Sequence, residues 1–160
     1  MSKKKAVTVN KFSGKFSYLS NYYICPIIYK GEEYTSVEAA FQAQKVPPSD
    51  RKSFTKMPPN TAKSLGRRVR LPFNWEVIKD EIMTEIVECK FNQNEDLRVK
   101  LLGDTTVDCI FTEGNTWHDN YWGHCTCAEC EKKMHNNKLG KIISQYRKKI
   151  GGNNYDQNSN

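Results

Sequence analysis

One segment constrains this chain more than any other: Tyr34-Thr-Ser-Val-Glu-Ala-Ala-Phe-Gln-Ala-Gln-Lys45, followed at once by Val46-Pro47-Pro48. Ser36 suits a helix N-cap, because its hydroxyl can accept from an open backbone N–H of the first turn. The proline pair cannot continue a helix, since proline lacks the amide hydrogen and drives the residue before it toward extended backbone. A helix from Ser36 to about Lys45, closed at both ends, is therefore expected. Just upstream, Ile24–Tyr29 leans toward β structure, and Lys30-Gly31 reads as a hairpin turn before a short strand at Glu33–Tyr34. The chain thus enters its bounded helix from a hairpin.

Downstream, a short helix is expected after Ser49 and another after Asn60, with Gly66 interrupting or ending the latter. Asn74 is placed to cap the longest helix, roughly Trp75 to Phe91, where Trp75, Ile78, Ile82, Ile86 and Cys89 form one core-type stripe at helical spacing. Asn94 opens a further helix to Leu102, which Gly103 stops. Val107–Phe111 reads as a short strand, and Leu139, Ile142, Ile143 and Tyr146 mark a last helix. The expected class is α+β, predominantly helical, one compact domain over residues 11–150 with a small β-hairpin or sheet. Residues 1–10 read as a flexible basic arm, and 151–160, GGNNYDQNSN, as a disordered tail.

Composition narrows the function classes. With 160 residues, 38% of them hydrophobic, one core can form. No run approaches the roughly 18 apolar residues of a membrane span, and no apolar signal region follows the Lys-rich N-terminus. A cytoplasmic protein is expected, and its six cysteines then read as reduced thiols rather than a disulfide framework. The net charge of +7 favours phosphorylated or polyanionic partners, nucleic acid among them. Part of that charge lies in Lys3-Lys4-Lys5 and Arg147-Lys148-Lys149, two runs near the ends that read as solvated.

Chemistry concentrates on the bounded helix. Glu38, Gln42 and Lys45 are spaced i, i+4 and i+7, which places them within about 40° on one face. The helix dipole alone would favour a carboxylate at the start and a cation at the end. As an active face, a carboxylate can move a proton, and a lysine can bind phosphate or attack a sugar carbon to form a Schiff base. The attack needs a neutral amine. Burial and a neighbouring cation such as Arg67 would help, and an ionised Glu38 would oppose.

Four other segments carry candidate groups. In Glu113–Gly123, Trp117 and Trp122 could stack on a base and Asp119 could activate water, although tryptophan also serves simply to anchor loops. Around Phe12–Tyr22, Ser20 and Asn21 could read base or ribose edges, or make an ordinary turn. In Ala62–Val69, Gly66 beside Arg67 and Arg68 could hold phosphate, but the spacing is not that of a P-loop. Finally, Cys125, Cys127 and Cys130, with His124 and His135 nearby, could bind zinc. No second cysteine pair lies at the usual ribbon distance, so free thiols and no cofactor are expected.

The order of these blocks resembles the YbiA-like, or NADAR, family of N-glycosidases. The resemblance rests on Leu19-Ser-Asn-Tyr-Tyr, Pro26-Ile, Gly31, Tyr34 to Lys45, Ala62-Lys-Ser-Leu-Gly-Arg-Arg and Asn74-Trp-Glu. Lys90-Phe-Asn-Gln-Asn94, Trp122-Gly and Asn137-Lys-Leu-Gly140 extend it to about residues 12–148. It implies a mostly helical fold and cleavage of an N-glycosidic bond on a phosphorylated ribose. Some members act on ribosylamino-pyrimidine phosphates of riboflavin synthesis, others on ADP-ribose attached to guanine of nucleic acid. For the latter a lysine Schiff base is proposed, which the resemblance carries onto Lys45, with Glu38 as the family carboxylate and Trp122 as its aromatic residue.

Many relatives have Asp directly after Trp-Gly, where this chain has His124, so Asp119 or His124 itself would supply the second catalytic group. Within that resemblance Arg67 and Lys90 would hold phosphate. Asn21, Trp117 and Trp122 would hold the base or ribose, and Gln42, Gly123 and His124 complete the expected substrate-binding set. Removal of ADP-ribose from guanine is the expected activity. The rivals are the flavin-precursor reaction, a non-catalytic binder of ADP-ribose or nucleic acid, and a zinc-stapled interaction module.

Overall fold

In the computed structural model Lys30 and Gly31 both take positive φ, 49° and 83°, the pair of left-handed residues that a two-residue hairpin loop uses. The turn joins β2 (Ile27–Tyr29) to β3 (Glu32–Tyr34), antiparallel with Ile27 opposite Tyr34 and Tyr29 opposite Glu32. β1 is the pair Thr8–Val9. Residues 7–156 are described, 152–156 by backbone alone. Contacts group the chain into two units: Asn21–Glu95, and Met1–Ser20 together with Asp96–Asn160.

The first of these units holds the hairpin, α1 (Val37–Ala43), a 3-10 turn at Pro48–Phe54, α2 (Pro59–Gly66) and α3 (Trp75–Gln93). The expected Ser36 cap is present: its Oγ accepts from Ala39 N at 3.1 Å. All seven residues of α1 are buried, because the helix packs against α2, α3 and the hairpin at once. It ends at Ala43, two residues before Lys45. α3 clamps the hairpin edge: Gln93 bonds both Ile28 N and Ile28 O through its side-chain amide, at 2.7 and 2.8 Å, and Tyr29 OH donates to Glu85.

The buried face of α3 is rotated from the expected stripe. Trp75, Ile82 and Ile86 are buried as anticipated, but Met83, Val87, Lys90 and Phe91 join them, while Ile78 and Cys89 are only half-buried. Asn74 makes no side-chain cap. Asn94 closes α3, its Nδ2 donating to Lys90 O at 2.8 Å, and α4 begins directly after it at Glu95.

The other unit contains β1, a 3-10 segment at Gly14–Leu19, most of α4 (Glu95–Asp104), β4 (Ile110–Phe111), β5 (Gly114–Asn115), β6 (His124–Cys125), a 3-10 turn at Ala128–Cys130 and α5 (Lys138–Asp156). β1 runs parallel to β4, with Thr8 opposite Ile110, so residues 8–9 of the expected arm are strand. β5 pairs in parallel with β6. Gly103 lies inside α4 rather than stopping it. On α5 the expected stripe of Leu139, Ile142, Ile143 and Tyr146 is buried. The helix continues to Asp156, into the segment expected as a tail; 157–160 and Lys3-Lys4-Lys5 lie outside the described residues.

Arg147 corrects the solvated reading of its basic run. It is buried, with Nε on Thr105 Oγ1 and Nη2 on Thr105 O, both at 3.0 Å, whereas Lys148 and Lys149 are exposed. The class is α+β with helix dominant. Among the described residues no helix is long and apolar enough to cross a membrane.

Candidate active site

Glu38 is a carboxylate in a buried place: 7% of the residue is exposed. Its backbone N–H donates to Asn21 O at 3.0 Å, tying the start of α1 to the preceding loop. One turn on, Gln42 donates through Nε2 to Glu38 Oε1 at 2.8 Å. Gln42 can lie there because α2 presents Gly66. A Cβ at that position would stand 1.9 Å from Gln42 Oε1 and 2.7 Å from its Cδ. Asn21 is buried, and its Nδ2 reaches Met83 Sδ at 3.6 Å, while its Oδ1 meets no partner among the described residues.

Lys45 follows the helix in a turn closed by its own N–H to Gln42 O at 3.1 Å. Its Nζ stands 5.7 Å from the centre of the Trp75 ring, which packs on Phe41 at 5.2 Å. Burial pulls the Lys45 amine below the ordinary lysine range. Glu38 opposes this, and the cations Arg67, Lys63 and Lys79 reinforce it. Desolvation together with three like charges outweighs one carboxylate. Lys63 in turn lies over the Tyr22 ring at 5.7 Å, and Lys79 pairs with Glu76. Arg67 caps α2 and is exposed. The result is a half-buried amine with weakened proton affinity, beside a positioned carboxylate, in a cationic field.

Lys90 departs from the phosphate-holding role. It is 1% exposed, with Nζ 5.6 Å from the Tyr23 ring and 5.4 Å from that of Phe91. Burial pushes its amine down to about 8, against the opposing pull of Cys25. A solvated phosphate does not reach an amine so enclosed.

The remaining candidates lie in the second unit. Asp119 Oδ1 accepts from Tyr121 N at 3.1 Å and from Trp122 N at 3.0 Å, so this carboxylate shapes a turn. Asn115 brackets the same residue, its Nδ2 donating to Asp119 O at 2.8 Å and its Oδ1 accepting from Asp119 N at 3.2 Å. Trp122 is half-buried and meets Tyr121 edge-on at 4.9 Å, while Trp117 is 61% exposed. Gly123 is required by packing: a Cβ there would stand 2.3 Å from Glu113 O. The His124 ring stacks on His135 at 3.7 Å, and the imidazole that meets Cys127 and Cys130 is that of His118.

The structure therefore gathers Asn21, Glu38, Gln42, Lys45 and Arg67 in one unit, and Trp117, Asp119, Trp122, Gly123 and His124 in the other. Lys63, Trp75 and Lys79 were not among the expected site residues. Their signal was helical spacing: Lys63 is four residues before Arg67, and Lys79 four after Trp75. A groove of about 520 Å³ elsewhere on the first unit, lined by Ile24, Pro26, Tyr34 and Lys56, includes none of the expected site residues.

Comparison with known proteins agrees with this arrangement of blocks. Residues 9–151 match the model of the NADAR domain. N-glycosidase YbiA of Shigella sonnei strain Ss046 is 28% identical over 148 residues, covering 89% of this chain and 88% of that protein. N-glycosidase YbiA of Escherichia coli K12 shows the same identity and coverage. The NMR structure of E. coli YbiA superposes with a TM-score of 0.78 at 26% identity, over 96% of this chain and 90% of the other. The blocks that hold Glu38 and Lys45 are thus carried on a shared fold, and the chain belongs to the NADAR family.

Proposed function

We propose that this chain, an N-glycosidase of the NADAR family, removes ADP-ribose from guanine bases of nucleic acid or nucleotides, with Lys45 as nucleophile. The observation that carries the reading is the half-buried Lys45 amine over Trp75, on the same segment as a buried Glu38 that Gln42 holds in place. Burial and the cations Arg67, Lys63 and Lys79 lower the proton affinity of that amine. A neutral amine attacks C1′ of the ribose. The C1′–N bond breaks, its electron pair passes to the base nitrogen, and Glu38 carries the amine proton to the departing base. The amine lone pair then opens the sugar ring to an imine, the ring oxygen taking a proton. Water adds across the C=N bond and returns free ADP-ribose and Lys45. Gln42 keeps Glu38 in position through its 2.8 Å bond.

Substrate binding follows from the same residues. The exposed Arg67, with Lys63, suits a phosphorylated ribose. Asn21 Oδ1, a buried acceptor without a partner among the described residues, suits an N–H donor of the ligand. Trp117 and Trp122 are candidate stacking surfaces for bases. The net charge of +7 suits a nucleic-acid carrier more than a small monophosphate, and six free thiols suit a cytoplasmic setting.

The test is product analysis by mass spectrometry, using an oligonucleotide bearing ADP-ribosylated guanine and, separately, a ribosylamino-pyrimidine phosphate. Release of free ADP-ribose from the first is expected. Turnover of the second alone overturns the substrate. Borohydride added during turnover should trap an adduct on Lys45 that Lys45→Ala abolishes. Turnover without an adduct removes the Schiff base, and tight salt-dependent binding with no released base makes the chain a binder.

A further inference from the structure

Among the described residues outside the Lys45 site, one cluster of ligating atoms has no part in the glycosidase chemistry. We infer that His118, Cys125, Cys127 and Cys130 form a structural zinc site that staples the loop carrying Trp122. The Nδ1 or Nε2 of His118 and the three Sγ atoms all lie within 4.8 Å of one another. His118 Nδ1 is 3.3 Å from Cys127 Sγ and 3.4 Å from Cys130 Sγ. Around a tetrahedral zinc, with Zn–S about 2.3 Å and Zn–N about 2.0 Å, the S···N edges are about 3.5 Å and the S···S edges about 3.8 Å. The two His118 edges, 3.3 and 3.4 Å, match the S···N value, and the remaining pairs lie within 4.8 Å. All three thiols are free, none joined in a disulfide.

Each ligand is held by local structure. Cys125 ends β6 and is buried. Cys127 and Cys130 bracket the 3-10 turn, with Cys130 N donating to Cys127 O at 3.1 Å and Lys133 N to Cys130 O at 3.0 Å. This Cys-x-x-Cys turn brings its two sulfurs together. His118 takes φ +68°, a left-handed backbone that costs a histidine about 1 kcal/mol and persists where the surroundings require it. With Nδ1 toward the sulfurs, its Nε2 faces Glu129 Oε2 at 3.9 Å. Histidines that bind metal through one nitrogen commonly turn the other toward a carboxylate, which fixes the tautomer.

The donor set selects the ion. Three thiolates and one imidazole suit zinc, whereas magnesium and calcium take oxygen ligands. Four protein ligands leave no open position, so the role is structural. The ion would tie His118, immediately before Asp119, to Cys125, two residues after Gly123. Between them Asp119 holds the N–H groups of Tyr121 and Trp122. The β5–β6 ladder is only two residues long on each side, and the ion would anchor this loop more firmly than that ladder can.

The test uses the full chain purified under reducing conditions without chelator. Elemental analysis should find one zinc per chain. Cobalt(II) exchanged into the site should give the charge-transfer and ligand-field bands of a tetrahedral thiolate centre. Cys127→Ser and His118→Ala should lose those bands, His124→Ala and His135→Ala should keep them, and Glu129→Gln should weaken zinc binding by about tenfold. A reduced wild-type chain that holds no zinc and takes up no cobalt overturns the site, whatever the variants do. Bands that depend on His124 or His135 but not on His118 overturn the ligand assignment.

Discussion

Gly66→Ala should uncouple catalysis from stability, because the added methyl strikes a side chain and not the backbone. The new Cβ would lie 1.9 Å from Gln42 Oε1, against an ordinary contact of 3.4 Å or more, so the amide must move by about 1.5 Å. Nothing in the backbone resists the alanine itself, since Gly66 is helical and not in a left-handed conformation. Overpacking costs about 1–3 kcal/mol, and the better helix propensity of alanine returns up to about 1 kcal/mol. The net loss should be near 1 kcal/mol, a fall of a few degrees in melting temperature.

The displaced amide, however, no longer donates to Glu38 Oε1. A hydrogen bond to a charged group is worth about 1.5–3 kcal/mol, so kcat/KM should fall roughly 10- to 100-fold. Base release measured beside thermal unfolding checks both numbers. Gln42→Ala should show a similar drop, and the double variant no further one, because both changes remove the same bond. Full activity in Gly66→Ala, or additive losses in the double variant, would refute the positioning role of Gln42.

Three further outcomes follow from the same geometry. Arg67→Ala removes a cation that depresses Lys45, so the acidic limb of the kcat/KM profile should move to higher pH while KM rises; an unmoved limb would remove Lys45 as the titrating group. For Lys90, held near 8 when folded and near 10.5 when exposed, the unfolded chain binds the extra proton between those values. Stability from this amine therefore rises with pH across that window, by up to about 3 kcal/mol, and denaturant melts of Lys90→Met should lack that rise; equal pH dependence in both proteins would count against the buried amine. Asp119→Asn keeps an oxygen for the Tyr121 and Trp122 N–H groups and should stay within about threefold of wild-type activity, whereas Asp119→Ala should lose about 1–3 kcal/mol of stability. An Asp119→Asn variant with a thousandfold loss would instead place the carboxylate in the chemistry.

Local signals in the sequence were sufficient at several turns, caps and faces, though not at Asn74, which makes no side-chain cap, or at Gly103, which lies inside α4. Lys30-Gly31 specifies its hairpin through backbone angles, Ser36 caps α1 through one hydroxyl, and Leu139 to Tyr146 marks the inner face of α5 by spacing. The ordered blocks from Leu19 to Gly140 were legible as a family pattern because each retains its own turn, cap or helix. What failed was any question whose answer lies on another element. The buried face of α3 depends on α1 and the hairpin, which is why Lys90 and Met83 are inside and Ile78 is not. Thr8–Val9 becomes strand only because Ile110–Phe111 lies beside it, and Arg147 is buried only because Thr105 receives it. His118 meets thiols up to twelve residues away through a loop whose path no periodicity records.

For Glu38 and Lys45 the division is sharpest. Their spacing and family block were written in the chain, and so was the conflict between a carboxylate and a neutral amine. Which influence prevails is a sum over distances through space: burial of the amine and the charges of Arg67, Lys63 and Lys79, which α2 and α3 bring near, oppose Glu38. Only the tertiary structure, by setting those distances, decides that Lys45 loses its proton more readily than an ordinary lysine.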